Sequence, residues 1–280
     1  MLRALEGEVA IVTGGSSGIG AAAALELARR GARVVLAARR AGDLDAQARA
    51  IAAASGQAIA VPTDMTDPAQ VERLVARARQ AFGHVDALVN CAGASWKKPV
   101  AATSAEDIVQ LVKVNLLGAM LLTRAALPEM LRRRHGAIIS VGSVQSRVAV
   151  EPLYSATKFG VRGFSLALRR QLAHSGVSVS LVTPGNIRTA MTRDLQEDMP
   201  GPEIVAQTIA GLVLAPRREV IVPVSYRAIV WLDQLAPGLS DWVYQWRHRH
   251  DEQARSWDEA NEYVGSEGPL LSTPIQTPQI

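Results

Sequence analysis

Short, almost wholly apolar runs alternate with helix-like stretches along this sequence, and no other feature constrains its fold as strongly. Strands that are apolar at every position are typical of a parallel sheet buried on both faces. We expect strands at 8–14, 32–39, 57–64, 85–93, 136–144, 177–185 and 219–224. Helices are expected at 18–30, 43–54, 68–82, 104–134, 153–174 and 202–214. This alternation, with right-handed crossovers, predicts an α/β fold with a doubly wound parallel sheet.

The predicted strands and helices follow one another without a linker, so we expect residues 1–224 to form a single domain. Residues 225–264 are expected to form a C-terminal helical extension. The last stretch, 265–280, is rich in Pro, Ser, Thr and Gly, and this composition predicts a disordered tail.

Composition and charge exclude several classes of protein. The 280 residues are 48% hydrophobic, which allows a sizeable core, and their net charge is +4 with the basic residues scattered. No basic arm with interleaved aromatic residues is present, so no nucleic-acid partner is expected. The single cysteine, Cys91, excludes an intrachain disulfide and fits a reducing compartment, so we expect a cytoplasmic protein. We expect neither a membrane-spanning helix nor a metal site.

A glycine-rich stretch, "TGGSSGIG" at 13–20, follows the first predicted strand directly and opens the first helix. Such a turn lets backbone N–H groups approach a phosphate, although a tight turn with close helix packing is the plainer interpretation. In a doubly wound sheet the ligand crevice lies at the carboxyl ends of the strands. The strand-end residues should therefore converge there, namely Gly14, Asp64, Asn90, Ser143 and Pro184.

A tyrosine and a lysine lie four positions apart at the start of a predicted helix, so Tyr154 and Lys158 share one helix face. A nearby ammonium group favours the phenolate, which predicts a lowered pKa for Tyr154 and a role as general acid. Ser143, at the end of the neighbouring strand, could hydrogen-bond the same substrate oxygen. The alternative is an ordinary surface pair of a tyrosine and a solvated lysine.

With these motifs together, the chain resembles the classical short-chain dehydrogenases/reductases over roughly residues 7–224. The similar segments are "TGGSSGIG", "NCAG" at 90–93, "KVNLLG" at 113–118, "SVGSV" at 140–144, "YSATK" at 154–158 and "PGNIRT" at 184–189. The six motifs stand in the family's order. The resemblance implies a Rossmann fold and a homodimer or homotetramer.

By resemblance, four residues form a catalytic tetrad: Asn115, Ser143, Tyr154 and Lys158. Tyr154 would exchange the proton, Lys158 would hold the nicotinamide ribose, and Asn115 would keep a water that links Lys158 to solvent. The residues implied in cofactor binding are Gly14, Ser16, Ser17, Gly18, Ile19, Gly20, Arg39, Arg40, Asp64, Met65, Asn90, Ala92, Gly93, Tyr154, Lys158, Pro184, Gly185, Ile187 and Thr189. Cys91 is expected to be a small buried filler.

The end of the second strand indicates which dinucleotide is bound. Sites for NAD usually have an acidic residue there, which binds the ribose 2′-hydroxyl. This chain has Ala38 followed by Arg39 and Arg40, and a guanidinium suits a 2′-phosphate. We therefore expect NADP(H), with NAD(H) as the less favoured alternative.

The leading hypothesis is an NADP-dependent oxidoreductase that interconverts a secondary alcohol and a carbonyl. A lipophilic substrate is expected because the candidate residues at the pocket mouth are apolar: Val148, Leu153, Ile187 and Met191. The alternative from another class is a non-catalytic dinucleotide-sensing or regulatory protein on the same fold. Because all four catalytic positions are filled, the sequence favours the enzyme.

Residues 226–250 lie beyond the usual extent of the family. Their apolar residues recur at spacings that suit one helix face: Trp231, Leu232, Leu235, Leu239, Trp242, Val243 and Trp246. A basic cluster follows directly: Arg247, His248, Arg249 and His250. The segment is expected either to pack against the protein's own body or a second subunit, or to lie in a membrane interface.

Overall fold

A seven-stranded, wholly parallel sheet forms the centre of the protein, in a computed structural model that describes residues 4–193, 195 and 198–250. The strand order is β3-β2-β1-β4-β5-β6-β7. The strands are β1 (Val9–Thr13), β2 (Arg33–Ala38), β3 (Gln57–Pro62), β4 (Ala87–Asn90), β5 (Gly136–Val141), β6 (Val177–Pro184) and β7 (Glu219–Val222). This confirms the predicted doubly wound α/β fold.

Helices connect the strands and continue past the last one. They are α1 (Gly18–Arg29), α2 (Ala41–Ala53), α3 (Pro68–Phe82), α4 (Ala105–Val112), α5 (Gly118–Arg133), α6 (Pro152–Gln171), α7 (Glu203–Leu214), α8 (Tyr226–Leu235) and α9 (Pro237–His250). Local chemistry sets several of their starts. For example, the Asp67 carboxylate accepts the backbone N–H groups of Ala69 and Gln70, with Pro68 in the first turn of α3.

Each face of the sheet is covered by its own core. Ala10 and Val12 of β1 belong to one apolar cluster, whereas Ile11, which points the other way, belongs to the second. Helices α1 and α7 pack together on the first side, and α3 packs against α5 on the second. Burial on both faces explains why a central strand such as β1 is apolar at nearly every position rather than alternating.

Several predicted strands extend past the observed ones at their carboxyl ends. The run at 85–93 is the clearest case, because the paired strand is only Ala87–Asn90. The residues that follow, "CAG", are small and apolar but line a cleft instead of pairing with a neighbour. Apolar composition continues into the loop because the loop is also enclosed.

The long helix predicted at 104–134 is present from Ala105 to Arg133, but a π-helical turn at Lys113–Leu117 interrupts it. By length and composition alone this helix could cross a membrane, since an 18-residue window within it has a mean hydropathy of 1.4, so the expectation of no spanning helix stays a prediction. Its α5 part packs against α3 and β5, with Leu122 and Met130 buried in the core.

Helices α8 and α9 form a C-terminal hairpin, tied by the Ser240 hydroxyl donating to Asp233 at 2.9 Å. Its seven apolar residues, expected on one helix face, have different surroundings. Leu232 and Val243 line the cleft described below, while the other five are exposed: Trp231, Leu235, Leu239, Trp242 and Trp246. The side chains of the basic cluster at 247–250, the rest of the predicted extension at 251–264 and the predicted tail at 265–280 lie outside the described residues.

Candidate active site

A large cleft of about 1370 Å³ opens at the carboxyl ends of the strands. The strand order reverses between β1 and β4, and this is where open α/β sheets bind ligands. Four of the five strand-end residues expected to converge line the cleft: Gly14, Asp64, Ser143 and Pro184. The fifth, Asn90, does not line the cleft.

The glycine loop has a shape that only glycines allow. Gly14 and Gly18 have positive φ angles of 67° and 54°. A Cβ at Gly20 would lie 2.2 Å from the carbonyl oxygen of Gly14. Helix α1 begins at Gly18 without a side-chain cap from Ser17, so its first backbone N–H groups remain available to an anion. The loop residues Gly14, Ser16, Ser17, Gly18, Ile19 and Gly20 all line the cleft.

Thr13 holds the loop after β4 against the glycine loop, and the sequence analysis did not single it out. Its buried hydroxyl accepts the N–H groups of Cys91 and Ala92, both at 3.0 Å. These bonds place Ala92 and Gly93 in the cleft wall. Asn90, the last residue of β4, is 6% exposed and does not line the cleft as expected, but its buried side-chain amide has no hydrogen-bond partner among the described residues, so its role in cofactor binding stays a prediction.

The end of β2 supplies two arginines that differ in their environment. Arg39 is exposed, lines the cleft, and makes no ion pair or hydrogen bond with the described residues. Arg40 is half-buried, and its Nε lies 2.5 Å from the carboxylate of Asp43. Asp64 and Met65 line the same end of the cleft, where Asp64 accepts the N–H of Thr66 at 2.8 Å.

The serine, tyrosine and lysine meet at the middle of the cleft. Ser143 precedes a short 3₁₀ turn, and its hydroxyl accepts the N–H of Gln145 at 3.1 Å. Tyr154 stands in the first turn of α6, and Lys158 follows one turn later on the same face. The Lys158 ammonium donates to the Val141 carbonyl at 3.1 Å and lies over the Tyr154 ring, 5.6 Å from its centroid.

Burial dominates the electrostatics of this group. It raises the pKa of Tyr154 well above 10, although a hydrogen bond with Ser143 opposes the shift. Burial also lowers the pKa of Lys158 to about 8. The pKa of Tyr154 is therefore raised in this structure rather than lowered as expected, because burial is the largest cause of its shift.

Asn115 lies in the π-helical turn and is 2% exposed, behind the cleft wall rather than in it. Its Oδ1 accepts the N–H of Ala94 at 2.7 Å, and its Nδ2 donates to the Ala94 carbonyl and the Thr157 hydroxyl. The amide thus joins the loop after β4 to α6. A π-helical turn that presents such a residue is frequent at functional sites. The water link to Lys158 stays a prediction.

A polar network beside Tyr154 was also not anticipated. The Glu151 carboxylate accepts the Ser95 hydroxyl at 2.8 Å and the Gln145 amide at 3.0 Å. Gln145 in turn accepts the Glu151 N–H and the Ser155 hydroxyl. The position of Gln145 and Glu151 between Ser143 and Tyr154 is the signal that could have identified them.

Comparison with known proteins decides the family. The family model described as short chain dehydrogenase matches residues 8–200. The chain belongs to the short-chain dehydrogenase family. It is 38% identical to the 3-oxoacyl-[acyl-carrier-protein] reductase FabG of Escherichia coli over 208 residues, 74% of this chain and 84% of the relative. It is 33% identical to the ketoacyl reductase HetN of a Nostoc strain over 260 residues, 88% of this chain and 91% of the relative.

Solved structures of short-chain dehydrogenases share the fold. A dehydrogenase/reductase from Sinorhizobium meliloti has a TM-score of 0.72 at 30% identity, covering 79% of this chain and 95% of its own. An actinorhodin polyketide ketoreductase variant, solved with NADPH, has the same TM-score and identity, covering 77% and 95%.

The residues of this short-chain dehydrogenase fit a nicotinamide dinucleotide. A side chain at Gly20 would collide with the Gly14 carbonyl and disturb the glycine loop, the start of α1 is uncapped, and Arg39 has no described partner. Of the nineteen positions expected to bind cofactor, all but Asn90 line the cleft.

The other end of this dehydrogenase's cleft is apolar and is closed by the C-terminal hairpin. Val148, Ile187 and Met191 line it as expected, but Leu153 does not. Ile229, Leu232 and Val243 of the hairpin complete the wall. Tyr226 anchors the hairpin to the turn after β6. Its hydroxyl accepts the Asn186 N–H at 3.1 Å, and its ring packs so closely on Gly185 that a Cβ there would clash.

Cys91 lines the cleft in this dehydrogenase, and burial raises the pKa of its thiol to about 11. A thiol that stays protonated is a poor nucleophile, but Cys91 is only half-buried, so its role as a buried filler stays a prediction.

A cluster of titratable side chains lies at the opposite edge of the sheet. The carboxylate oxygens of Glu8 and Asp86 and a ring nitrogen of His135 are within 4.8 Å of one another. The Asp86 carboxylate is already bound by Arg133 at 2.5 Å and by the Val9 N–H at 2.8 Å. We therefore interpret this cluster as an ion-pair network that joins β1, β4 and β5 at their starts.

Proposed function

We propose that this short-chain dehydrogenase is an NADP(H)-dependent oxidoreductase that interconverts a secondary alcohol and a carbonyl compound. The observation that carries the proposal is the cluster of Ser143, Tyr154 and Lys158 at the middle of the cleft, between the glycine loop and an apolar end. The family's relatives named as ketoacyl and 3-oxoacyl reductases support a reaction of this class.

The side chains have separable roles in this proposal. Tyr154 exchanges a proton with the substrate oxygen, and Ser143, which hydrogen-bonds the phenol, orients that oxygen. Because burial keeps the phenol protonated at neutral pH, Tyr154 is prepared to donate a proton to a carbonyl. Lys158 holds the nicotinamide ribose, and Asn115 positions the loop that packs against Lys158. The cofactor supplies or accepts the hydride.

The preference for NADP(H) rests on Arg39. Its guanidinium stands exposed at the end of β2, lines the cleft and is not engaged by the described residues, whereas no acidic side chain occupies this place. A 2′-phosphate would gain a charge-assisted hydrogen bond there, and a hydroxyl would gain little. The neighbour solved with NADPH is consistent with this choice.

The substrate class follows from the wall of the other end. Val148, Met191, Leu232 and Val243 offer apolar surface, and Glu151 contributes a negative charge near Tyr154. We therefore propose a lipophilic substrate without an anionic group near its carbonyl. The cytoplasmic location and the homodimer or homotetramer remain predictions.

Turnover of a panel of lipophilic ketones, aldehydes and ketones that carry a carboxylate, with NADPH and with NADH, tests the proposal. We expect reduction of neutral ketones with NADPH in preference to NADH. Binding of NADPH without turnover of any compound would instead favour the dinucleotide-sensing alternative. Equal rates with both cofactors would contradict the role of Arg39.

A further inference from the structure

The C-terminal hairpin has two unlike faces. Its inner face closes the cleft through Ile229, Leu232 and Val243, and Val230 is buried beneath it. Its outer side leaves large apolar side chains in solvent: Trp231 is 63% exposed, Leu235 74% and Trp242 61%. A protein seldom leaves such a surface without a partner.

The exposed residues follow helix periodicity on each helix. On α8 the stripe is Ala228, Trp231 and Leu235, with spacings of three and four, and the exposed Val224 precedes the helix. On α9 it is Leu239, Trp242 and Trp246, with spacings of three and four. Each helix therefore presents one continuous apolar stripe outward. We call these two stripes the hairpin surface.

Residue types on the hairpin indicate its partner. Three of the five tryptophans in the chain lie between positions 231 and 246. Tryptophan is enriched where a protein meets the headgroup region of a bilayer. In sequence, residues 226–250 contain three arginines and two histidines against two aspartates. This balance suits an anionic lipid surface.

We propose that the hairpin surface docks this protein onto an anionic lipid bilayer as a peripheral membrane protein. The apolar stripes enter the interface, and anionic headgroups favour a segment whose sequence has more basic than acidic residues. Because the inner face of the same two helices closes the cleft, docking brings the apolar end of the cleft next to the lipid. The alternative occupant, a second copy of the chain, accounts for the exposed tryptophans but not for the excess of basic residues.

Co-sedimentation of the full-length protein with phosphatidylcholine vesicles, with and without phosphatidylserine, tests the proposal. We expect binding to the vesicles that contain phosphatidylserine, a blue shift of tryptophan emission, and weaker binding at high salt. Absence of binding to the anionic vesicles would overturn the proposal.

Substitutions on the hairpin surface test whether these residues make the contact with the vesicle. Trp231→Glu and Trp242→Glu should each weaken vesicle binding by about tenfold or more, because each removes buried apolar area and adds a repelled charge. Leu214→Glu is the matched control: Leu214 is 47% exposed at the end of α7, and its variant should bind as the wild type does. Equal binding by all three variants would contradict the assignment.

Gel filtration without vesicles tests the alternative, in which the hairpin surface binds a second copy of the chain. If the tryptophan variants change the oligomeric state and the wild type ignores vesicles, the surface is a contact between copies and the proposal is wrong. Neither readout uses turnover, so the outcome stands apart from that of the proposed reaction.

Discussion

The buried lysine of the active site should reduce the stability of the free protein, and removing it should make the protein more stable at neutral pH. Lys158 is 5% exposed, and burial lowers its pKa from 10.5 to about 8. One pKa unit corresponds to about 1.4 kcal/mol, so the charged form costs about 3 kcal/mol relative to the unfolded chain. Lys158→Met removes this cost.

The sign of the pH dependence follows from proton binding. Between its folded and unfolded pKa values the lysine is protonated in the unfolded chain and largely neutral in the folded one. The cost is therefore fully present below about pH 8 and disappears as the pH approaches 10.5. The wild type should gain stability over this window, and the variant should not gain it.

Chemical denaturation of both proteins without cofactor, at several values between about pH 7 and pH 10, measures the effect. We expect the stability advantage of Lys158→Met to shrink by about 2–3 kcal/mol across that range. Loss of the hydrogen bond to the Val141 carbonyl adds a pH-independent contribution to the difference in unfolding free energy between the two proteins. Lys113→Met, at an exposed position, is the control. A difference that stays constant with pH would refute the reasoning.

Three further predictions concern the site. Tyr154→Phe should lower turnover by about 10²–10⁴ while cofactor affinity stays nearly unchanged, because only the proton donor is removed; kinetics on a substrate from the panel and a cofactor titration check this, and near wild-type turnover would remove Tyr154 from its role. Arg39→Ala should weaken NADPH binding roughly ten- to a hundredfold and NADH binding far less. Arg40→Ala should weaken NADPH binding less than Arg39→Ala does, since Arg40 is paired with Asp43. Titration of each variant with NADPH and with NADH measures these affinities, and equal losses of affinity for the two cofactors would argue against a phosphate contact. Gly20→Ala should destabilise the protein by about 1–3 kcal/mol and impair cofactor binding, because its Cβ would meet the Gly14 carbonyl. Gly42→Ala, where a Cβ meets nothing within 4 Å, should instead be neutral or stabilising; thermal unfolding of both variants compares them, and similar effects would contradict the steric argument.

The sequence alone predicted the fold and the composition of most of the cleft. Apolar strands such as Val9–Thr13 can only be buried on both faces, which leaves few arrangements besides a doubly wound parallel sheet. In such a sheet every strand ends at the same edge. Residues far apart in the chain, such as Gly14, Asp64 and Ser143, therefore had to meet in one cleft.

Other features could not be predicted because they depend on groups that are distant in sequence. The ammonium at Lys158 suggested a lowered pKa for Tyr154, yet burial of the phenol reverses the direction. Thr13 looked like an ordinary strand residue, and only the approach of the loop after β4 gives its hydroxyl two N–H donors.

The C-terminal hairpin shows what the sequence determines and what only the tertiary structure decides. Its sequence determined that residues 226–250 are helical in period and rich in tryptophan. Only the tertiary structure decided that Leu232 and Val243 close the cleft while Trp231 and Trp242 remain in solvent. Helix periodicity specifies which residues share a face, but the partner of that face depends on how the hairpin is anchored. Here Tyr226 sets that anchor through its contacts with Gly185 and Asn186, about forty positions earlier in the chain.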